Sequence, residues 1–131
     1  MSDHYTGKVA AVVIAKTAEQ KQYLIAKRSD NGDWEFPGGK QHKDENLLET
    51  AEREIKEELG LKIKAKEKTE EYSYSSGGYS IVPIYAEIME ADFNIKLVDH
   101  TEYRWIKPEK IEELDIDLKN EVKCLQAFNL I

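Results

Sequence analysis

The spacing of apolar and polar residues changes several times along the chain. Val9–Ala15 is a continuous apolar run, partly β-branched, which predicts a buried strand. Thr17–Lys21 is polar and predicts a turn. Gln22–Arg28 carries Tyr23, Leu24, Ile25 and Ala26, a second strand able to form a hairpin with the first. Asn31-Gly32 signals a turn. Trp34-Glu35-Phe36 is expected to be extended, since Phe36 precedes Pro37. From Asp44 to Leu59 the period becomes helical. Leu47, Leu48, Ala51, Ile55 and Leu59 form one apolar stripe, with Asp44 as expected N-cap and Gly60 as stop.

The second half is shorter in pattern. Lys62–Tyr74 is charged and alternates weakly. Gly77-Gly78 predicts a turn leading into Tyr79–Met89, rich in Ile, Val and Tyr and read as part of a hairpin. Pro83 inside that run predicts an edge strand or a bulge. Glu102–Lys107 is expected to be a last short strand. Pro108 suits the first turn of a short helix through Leu114, and Leu118–Phe128 a C-terminal helix. Strands with helices between and after them predict a mixed α/β domain.

Composition narrows the function. The 131 residues are one domain's length, so residues 1–131 are expected to form a single domain. Nineteen Lys and Arg against 26 Asp and Glu leave a formal charge of -7, which argues against a nucleic-acid polymer as partner. A small phosphorylated ligand stays open, because local cations override the global sign. Cys124 is the only cysteine, so it cannot form an intramolecular disulfide and is expected to be a small buried apolar residue. No apolar run is long enough for a membrane span, and Met1–Lys8 does not resemble a leader. Cytoplasm is the expected location.

Chemistry concentrates between Gly39 and Leu61. Glu54, Glu57 and Glu58 stand at i, i+3 and i+4, on one face of the expected helix. Clustered carboxylates suit Mg²⁺ or Mn²⁺, which would relieve their repulsion; in a chain with 18 glutamates, a solvated acidic face gives the same spacing. The surroundings are more specific. Gly39 is followed after five residues by Glu45, after seven more by Arg53-Glu54-Ile55, then by Glu57-Glu58 and Gly60-Leu61. This run over 39–61 resembles the complete Nudix box.

The resemblance to the Nudix hydrolases implies a Nudix fold, a mixed β-sheet sandwiched between helices. It also implies hydrolysis of a nucleoside diphosphate linked to another moiety. It makes Glu54, Glu57, Glu58 and the Gly38 carbonyl metal ligands, and Arg53 the partner of Glu45, bracing the loop against the helix. The candidate proton acceptors are Glu54 and Glu102, the latter also a candidate metal ligand at the start of the last strand.

The wider chain resembles the MutT type, which converts nucleoside triphosphates to monophosphates and pyrophosphate. Trp34-Glu35-Phe36-Pro37-Gly38-Gly39-Lys40 resembles its approach to the box, with Phe36 and Gly39 as substrate contacts. Arg28 falls where that type ends a strand in a substrate-contacting arginine. Tyr74 falls near the base, where it stacks on it or serves as an ordinary strand residue. Asn120 falls where an amide reads the base edge or caps a helix. One departure is Ser75-Ser76-Gly77-Gly78, which has no cation where members acting on oxidised guanine carry an arginine.

The leading expectation is therefore a Mg²⁺- or Mn²⁺-dependent pyrophosphohydrolase. Oxidised purine and pyrimidine nucleotides are both open as substrates, and the protein is expected to be a monomer or homodimer. The alternatives are an ADP-ribose or nucleotide-sugar pyrophosphatase and, in another class, a non-catalytic nucleotide-sensing module. Pyrophosphate release separates the first from the second, and turnover separates both from the third.

Overall fold

The structure is a computed structural model that describes residues 4–17 and 21–131. The expected turn at Thr17–Lys21 falls mostly on 18–20, outside the described residues, as do the first three residues of Met1–Lys8. Eight strands form one sheet: β1 (Tyr5–Ala15), β2 (Tyr23–Arg28), β3 (Trp34–Glu35), β4 (Gly38–His42), β5 (Ile63–Lys68), β6 (Tyr74–Ser76), β7 (Tyr79–Ile88) and β8 (His100–Ile106). Helix α1 (Leu47–Leu59) follows β4, and α2 (Lys119–Ala127) closes the chain.

The central path runs β3-β2-β1-β7-β5, with β4 also on β1, β6 on β7 and β8 on β2. β1 and β7 are parallel; the other pairs are antiparallel, so the sheet is mixed. β1 and β2 meet in register at Ala15 and Tyr23, while β2 pairs with β8 along most of its length.

Alternation in β1 splits the core in two. Ala10, Val12 and Ile14 face α1 and pack with Leu47, Ala51, Ile55 and Leu59. Ala11, Val13 and Ala15 face the other way and pack with Phe36, Cys124 and Leu125. A helix therefore covers each face, as the expected α/β sandwich requires. Cys124 is fully buried, and desolvation pushes its thiol up to about 12.

Two local expectations change. The α1 N-cap is Asn46, not Asp44. The Asn46 side chain accepts from the Glu49 N–H at 2.8 Å, and Glu49 accepts from the Asn46 N–H at 2.9 Å. The reciprocal bonds start the helix later and leave Glu45 in the preceding turn. Gly60 ends it as expected, at φ 66°.

Pro83 lies in an interior strand, opposite Ala11 of β1. On its other side β7 changes partner there, from β6 at Ile81 to β5 at Ile84. A residue without an N–H is tolerated at that gap, and its carbonyl accepts from Thr69. The short helix expected from Pro108 is present as a 3-10 helix over Pro108–Glu113, so only the cap and the place of Pro83 differ from expectation.

Candidate active site

β4 lies flat against β1, with Gly39 opposite Ala10 and Gly38 opposite Ala11. Side chains would not fit here. A Cβ on Gly38 would collide with the backbone carbonyl of Ala10, and one on Gly39 with the carboxyl group of Glu54. The pair of glycines thus lets the β4 backbone approach the acidic face of α1.

Arg53 ties that helix to the loop. Its Nε donates to Glu45 Oε2 at 3.0 Å and its Nη2 to Glu45 Oε1 at 2.7 Å. Nη2 also donates to the Lys40 carbonyl at 3.0 Å, and Nη1 to Glu54 Oε1 at 2.8 Å and Glu57 Oε2 at 3.2 Å. Glu45 Oε1 further accepts from the Thr50 hydroxyl and the His42 N–H. With Arg53 first among its partners, the Glu45 carboxyl is held at about 2, well below its ordinary range. The expected bracing pair is present.

The three helix glutamates have different surroundings. Glu57 is exposed. Glu54 is half-buried, and desolvation raises its pKa against the pull of Arg53. Glu58 is more deeply set, and desolvation raises it to about 7. Its Oε2 is buried with no hydrogen-bond partner. An orphaned carboxylate oxygen in a cluster of hard oxygen donors fits a divalent cation such as Mg²⁺. Among the described residues no three acidic, His or Cys side chains already converge as a cage. Arg53 explains this, since it draws Glu54 and Glu57 toward itself.

A cleft of about 1300 Å³ opens from this point. Glu54, Glu58, Gly38 and Gly39 line it on the α1 side. Phe36, Tyr74 and Ile81, members of the core cluster under α2, line it on the other side together with Asn120 and Glu121. The cleft therefore joins the two faces of the sheet. It brings together Arg28, Phe36, Gly38, Gly39, Glu54, Glu58, Tyr74 and Asn120. Arg53 and Glu45 stand behind it, and Glu57 is outside its lining.

Glu102 is not brought there, because it pairs in unbroken register with Lys27 and shares the side of the sheet on which Ile106 and Tyr23 pack; the β-bulge lies just beyond it and acts on His100. Lys27 of β2 pairs with Glu102 but Arg28 pairs with His100, so Thr101 is an extra residue. The shift puts His100 on the α1 side with Arg28 and leaves Glu102 on the opposite side with Lys27, 3.6 Å away. Glu102 is exposed and outside the cleft lining.

His100 takes the inward position. It is 7% exposed, and its Nε2 lies 3.0 Å from Glu35 Oε2. That bond raises the His100 pKa against desolvation. Asp99 beside it lines the cleft and adopts φ 64°, uncommon outside glycine. Arg28 reaches Glu35 at 3.5 Å and is forked by Asp30, Nε to Oδ1 at 2.9 Å and Nη2 to Oδ2 at 2.6 Å. Glu35, Asp99, His100 and Glu121 were not singled out from the sequence. Glu35 had a local signal, its place just before Phe36-Pro37-Gly38-Gly39. His100 had none, because its partner is 65 residues away.

This arrangement can be set beside known proteins. The family model described as the NUDIX domain matches residues 7–128. The chain belongs to the NUDIX family. Over 65 residues it is 40% identical to a protein named 8-oxo-dGTP diphosphatase from Buchnera aphidicola subsp. Schizaphis graminum, covering 45% of each chain. It is 29% identical to a MutT-like protein of Streptomyces ambofaciens, covering 80% of this chain and 66% of that one. The chain thus spans less than two thirds of the length of these two relatives. A protein named CTP pyrophosphohydrolase from Escherichia coli K12 is 26% identical over 126 residues, 92% of each chain.

Among solved structures, the E. coli ORF135 protein superposes with a TM-score of 0.70 at 25% identity, covering 93% of this chain and 87% of that one. The MutT protein of Methanosarcina mazei Go1 gives 0.74 at 23% identity, over 98% and 96%. The chain has the Nudix fold. No helix among the described residues is long and apolar enough to cross a membrane.

Proposed function

We propose that this Nudix hydrolase converts a nucleoside triphosphate to the monophosphate and pyrophosphate, using Mg²⁺ or Mn²⁺. The observation that carries the reading is the cleft that runs from the orphaned Glu58 oxygen and Glu54 to Tyr74 and Asn120. It offers hard anionic ligands at one end and an aromatic, amide-bearing wall at the other, matching the two ends of a nucleotide. The names of the Buchnera and E. coli relatives agree with a nucleotide substrate.

In this reading Glu54, Glu57, Glu58 and the Gly38 carbonyl hold the cation. When bound, it supplies positive charge against the diphosphate oxygens and eases ionisation of water. Arg53 keeps the helix and β4 in register. Arg28 binds substrate once it leaves Asp30. Glu54 takes the proton from the attacking water; its raised pKa makes it a better acceptor than an ordinary carboxylate. Phe36 gives an apolar floor, Tyr74 a stacking surface, and Asn120 a donor and an acceptor for the base.

The test is pyrophosphate and phosphate release with Mg²⁺ on canonical and oxidised nucleoside triphosphates, ADP-ribose and nucleotide sugars. Pyrophosphate from a triphosphate, lost in Glu58→Gln, is expected. Turnover of ADP-ribose alone would replace the triphosphate reading by a different Nudix substrate.

A further inference from the structure

The α2 end of the cleft holds a carboxylate with no catalytic duty in the scheme above. Glu121 stands in the first turn of α2, beside Asn120 on the cleft wall and close enough to Tyr74 and Cys124 for its charge to bear on both. It is largely withdrawn from water, and desolvation is the main cause of a pKa raised to about 7. Among the described residues no Lys or Arg forms an ion pair with it. Glu35, Asp117 and Asp33 raise its pKa further by repulsion.

This end of the cleft therefore repels phosphate. A carboxylate set in such a place has spare acceptor capacity, and desolvating it costs stability unless donors meet it. The donors available from a nucleotide are the N–H groups of its base. An exocyclic amino group offers two, while the keto oxygen of the corresponding oxo base offers none and, above pH 7 where Glu121 is ionised, would face the carboxylate oxygens directly. The same acidity orients the substrate, with its phosphates toward Arg28 and α1 and its base toward α2.

We propose that Glu121 is a specificity-determining residue, accepting hydrogen bonds from the amino group of the base, so that the substrates are amino-bearing nucleotides rather than their oxo counterparts. The proposal rests on the nucleotide reading above and deepens it. A role limited to the helix is also open to Glu121, because an acid in the first turn favours the helix dipole. That role affects melting temperature and not the choice between bases.

The experiment, run at about pH 8.5 so that Glu121 is ionised, compares CTP with UTP, and ATP with ITP, which carry an amino and an oxo group at the same ring position. The wild-type protein, Glu121→Gln and Glu121→Ala are each measured for kcat/KM. Binding of CMP and UMP, AMP and IMP is measured in parallel by calorimetry without turnover. In whichever pair the protein handles better, the wild type is expected to favour the amino member at least about tenfold, since a site built around a hydrogen bond rejects the analogue lacking it. Glu121→Gln keeps the shape but can donate to a keto oxygen, so the ratio should fall to about threefold or less. Glu121→Ala should lose the preference too.

A wild type without amino preference overturns the proposal, whatever the variants do. So does a preference unchanged in folded Glu121→Gln. If no triphosphate is hydrolysed, the pyrophosphohydrolase reading fails by itself. The monophosphate binding ratios then decide on Glu121: an amino preference lost in Glu121→Gln supports it, and equal binding overturns it.

Discussion

Arg53 and Glu45 are joined by two parallel hydrogen bonds, 3.0 and 2.7 Å long, in a setting where each side chain is mostly covered. The same guanidinium reaches the Lys40 carbonyl, so one residue fastens the β4 loop to α1. A lysine has the charge but not the fork. Arg53→Lys is expected to cost about 2 kcal/mol of stability, the scale of a charge-assisted hydrogen bond that loses its partner. In the same variant kcat should fall by more than tenfold while KM changes little, because the face of Glu54, Glu57 and Glu58 proposed to hold the cation is misplaced relative to Gly38. Urea unfolding and steady-state kinetics check the two parts.

The two glycines of β4 make separable demands. The added carbon of Gly38→Ala meets a backbone carbonyl that cannot turn aside, whereas that of Gly39→Ala meets the end of a glutamate side chain. Gly38→Ala should therefore lose about 2 kcal/mol or more of stability, as overpacking does. Gly39→Ala should fold within about 1 kcal/mol of wild type but lose most of its turnover, because Glu54 is displaced. Equal loss of stability in the two variants would contradict this account.

Much of the α1 end of the site was legible in the sequence because its parts are close in the chain. The i, i+3, i+4 glutamates, the Gly60 stop and the Arg53–Glu45 pair all lie between residues 39 and 61. The N-cap was misplaced by two residues because both Asp44 and Asn46 are good caps. Glu49, three residues after Asn46, was the overlooked signal of the capping box. Glu102 lies outside the cleft lining because β8 runs in unbroken register from Ile106 to Glu102, on the side away from α1. The one-residue bulge beyond it reverses the face of His100, and β8 has no glycine or proline to mark it. The environment of Glu121 depends on α2 packing beside β6 and β7, which no local pattern specifies.

The register of β8 leads to a kinetic prediction. Glu102→Gln should keep kcat/KM within about threefold of wild type, since it removes only an exposed ion pair with Lys27. His100→Ala should reduce kcat/KM by more than tenfold, because it leaves Glu35 without its buried partner at the cleft wall. A large loss in Glu102→Gln would return that residue to the catalytic set.

The raised pKa of Glu58 links pH, metal and stability. Its folded value near 7 lies above the ordinary 4.5, so the fold favours the neutral acid. Its stabilising contribution is full below about pH 4.5 and is lost as pH rises through 7. His100 and Glu121, also raised, add slopes of the same sign. In EDTA the protein should melt lower at pH 8 than at pH 6, and Glu58→Gln should remove part of that difference. Mg²⁺ should raise the wild-type melting temperature at pH 8 and have little effect on Glu58→Gln. Glu45 acts oppositely. Held near 2, its contribution is full above pH 4.5 and is lost as the pH falls toward 2, so Glu45→Gln should flatten the acid limb of the stability curve.

Arg28, proposed to bind substrate, is already engaged by the protein itself. Asp30 grips it in a bidentate fork from an exposed loop position, and Glu35 adds a weaker contact at 3.5 Å. A phosphate or base must displace Asp30 before the guanidinium can serve it, whereas Glu35 is itself held by His100. Substrate binding is therefore expected to compete with a carboxylate of the protein's own chain. Asp30→Asn weakens the competitor without moving the arginine far, since the amide can still accept one hydrogen bond. It should lower KM by about two- to fivefold, the range set by an exposed ion pair, with kcat nearly unchanged. Arg28→Lys should raise KM, and in that background Asp30→Asn should have little further effect. A KM unmoved by Asp30→Asn alongside a strong effect of Arg28→Lys would mean that Arg28 serves the substrate without leaving Asp30.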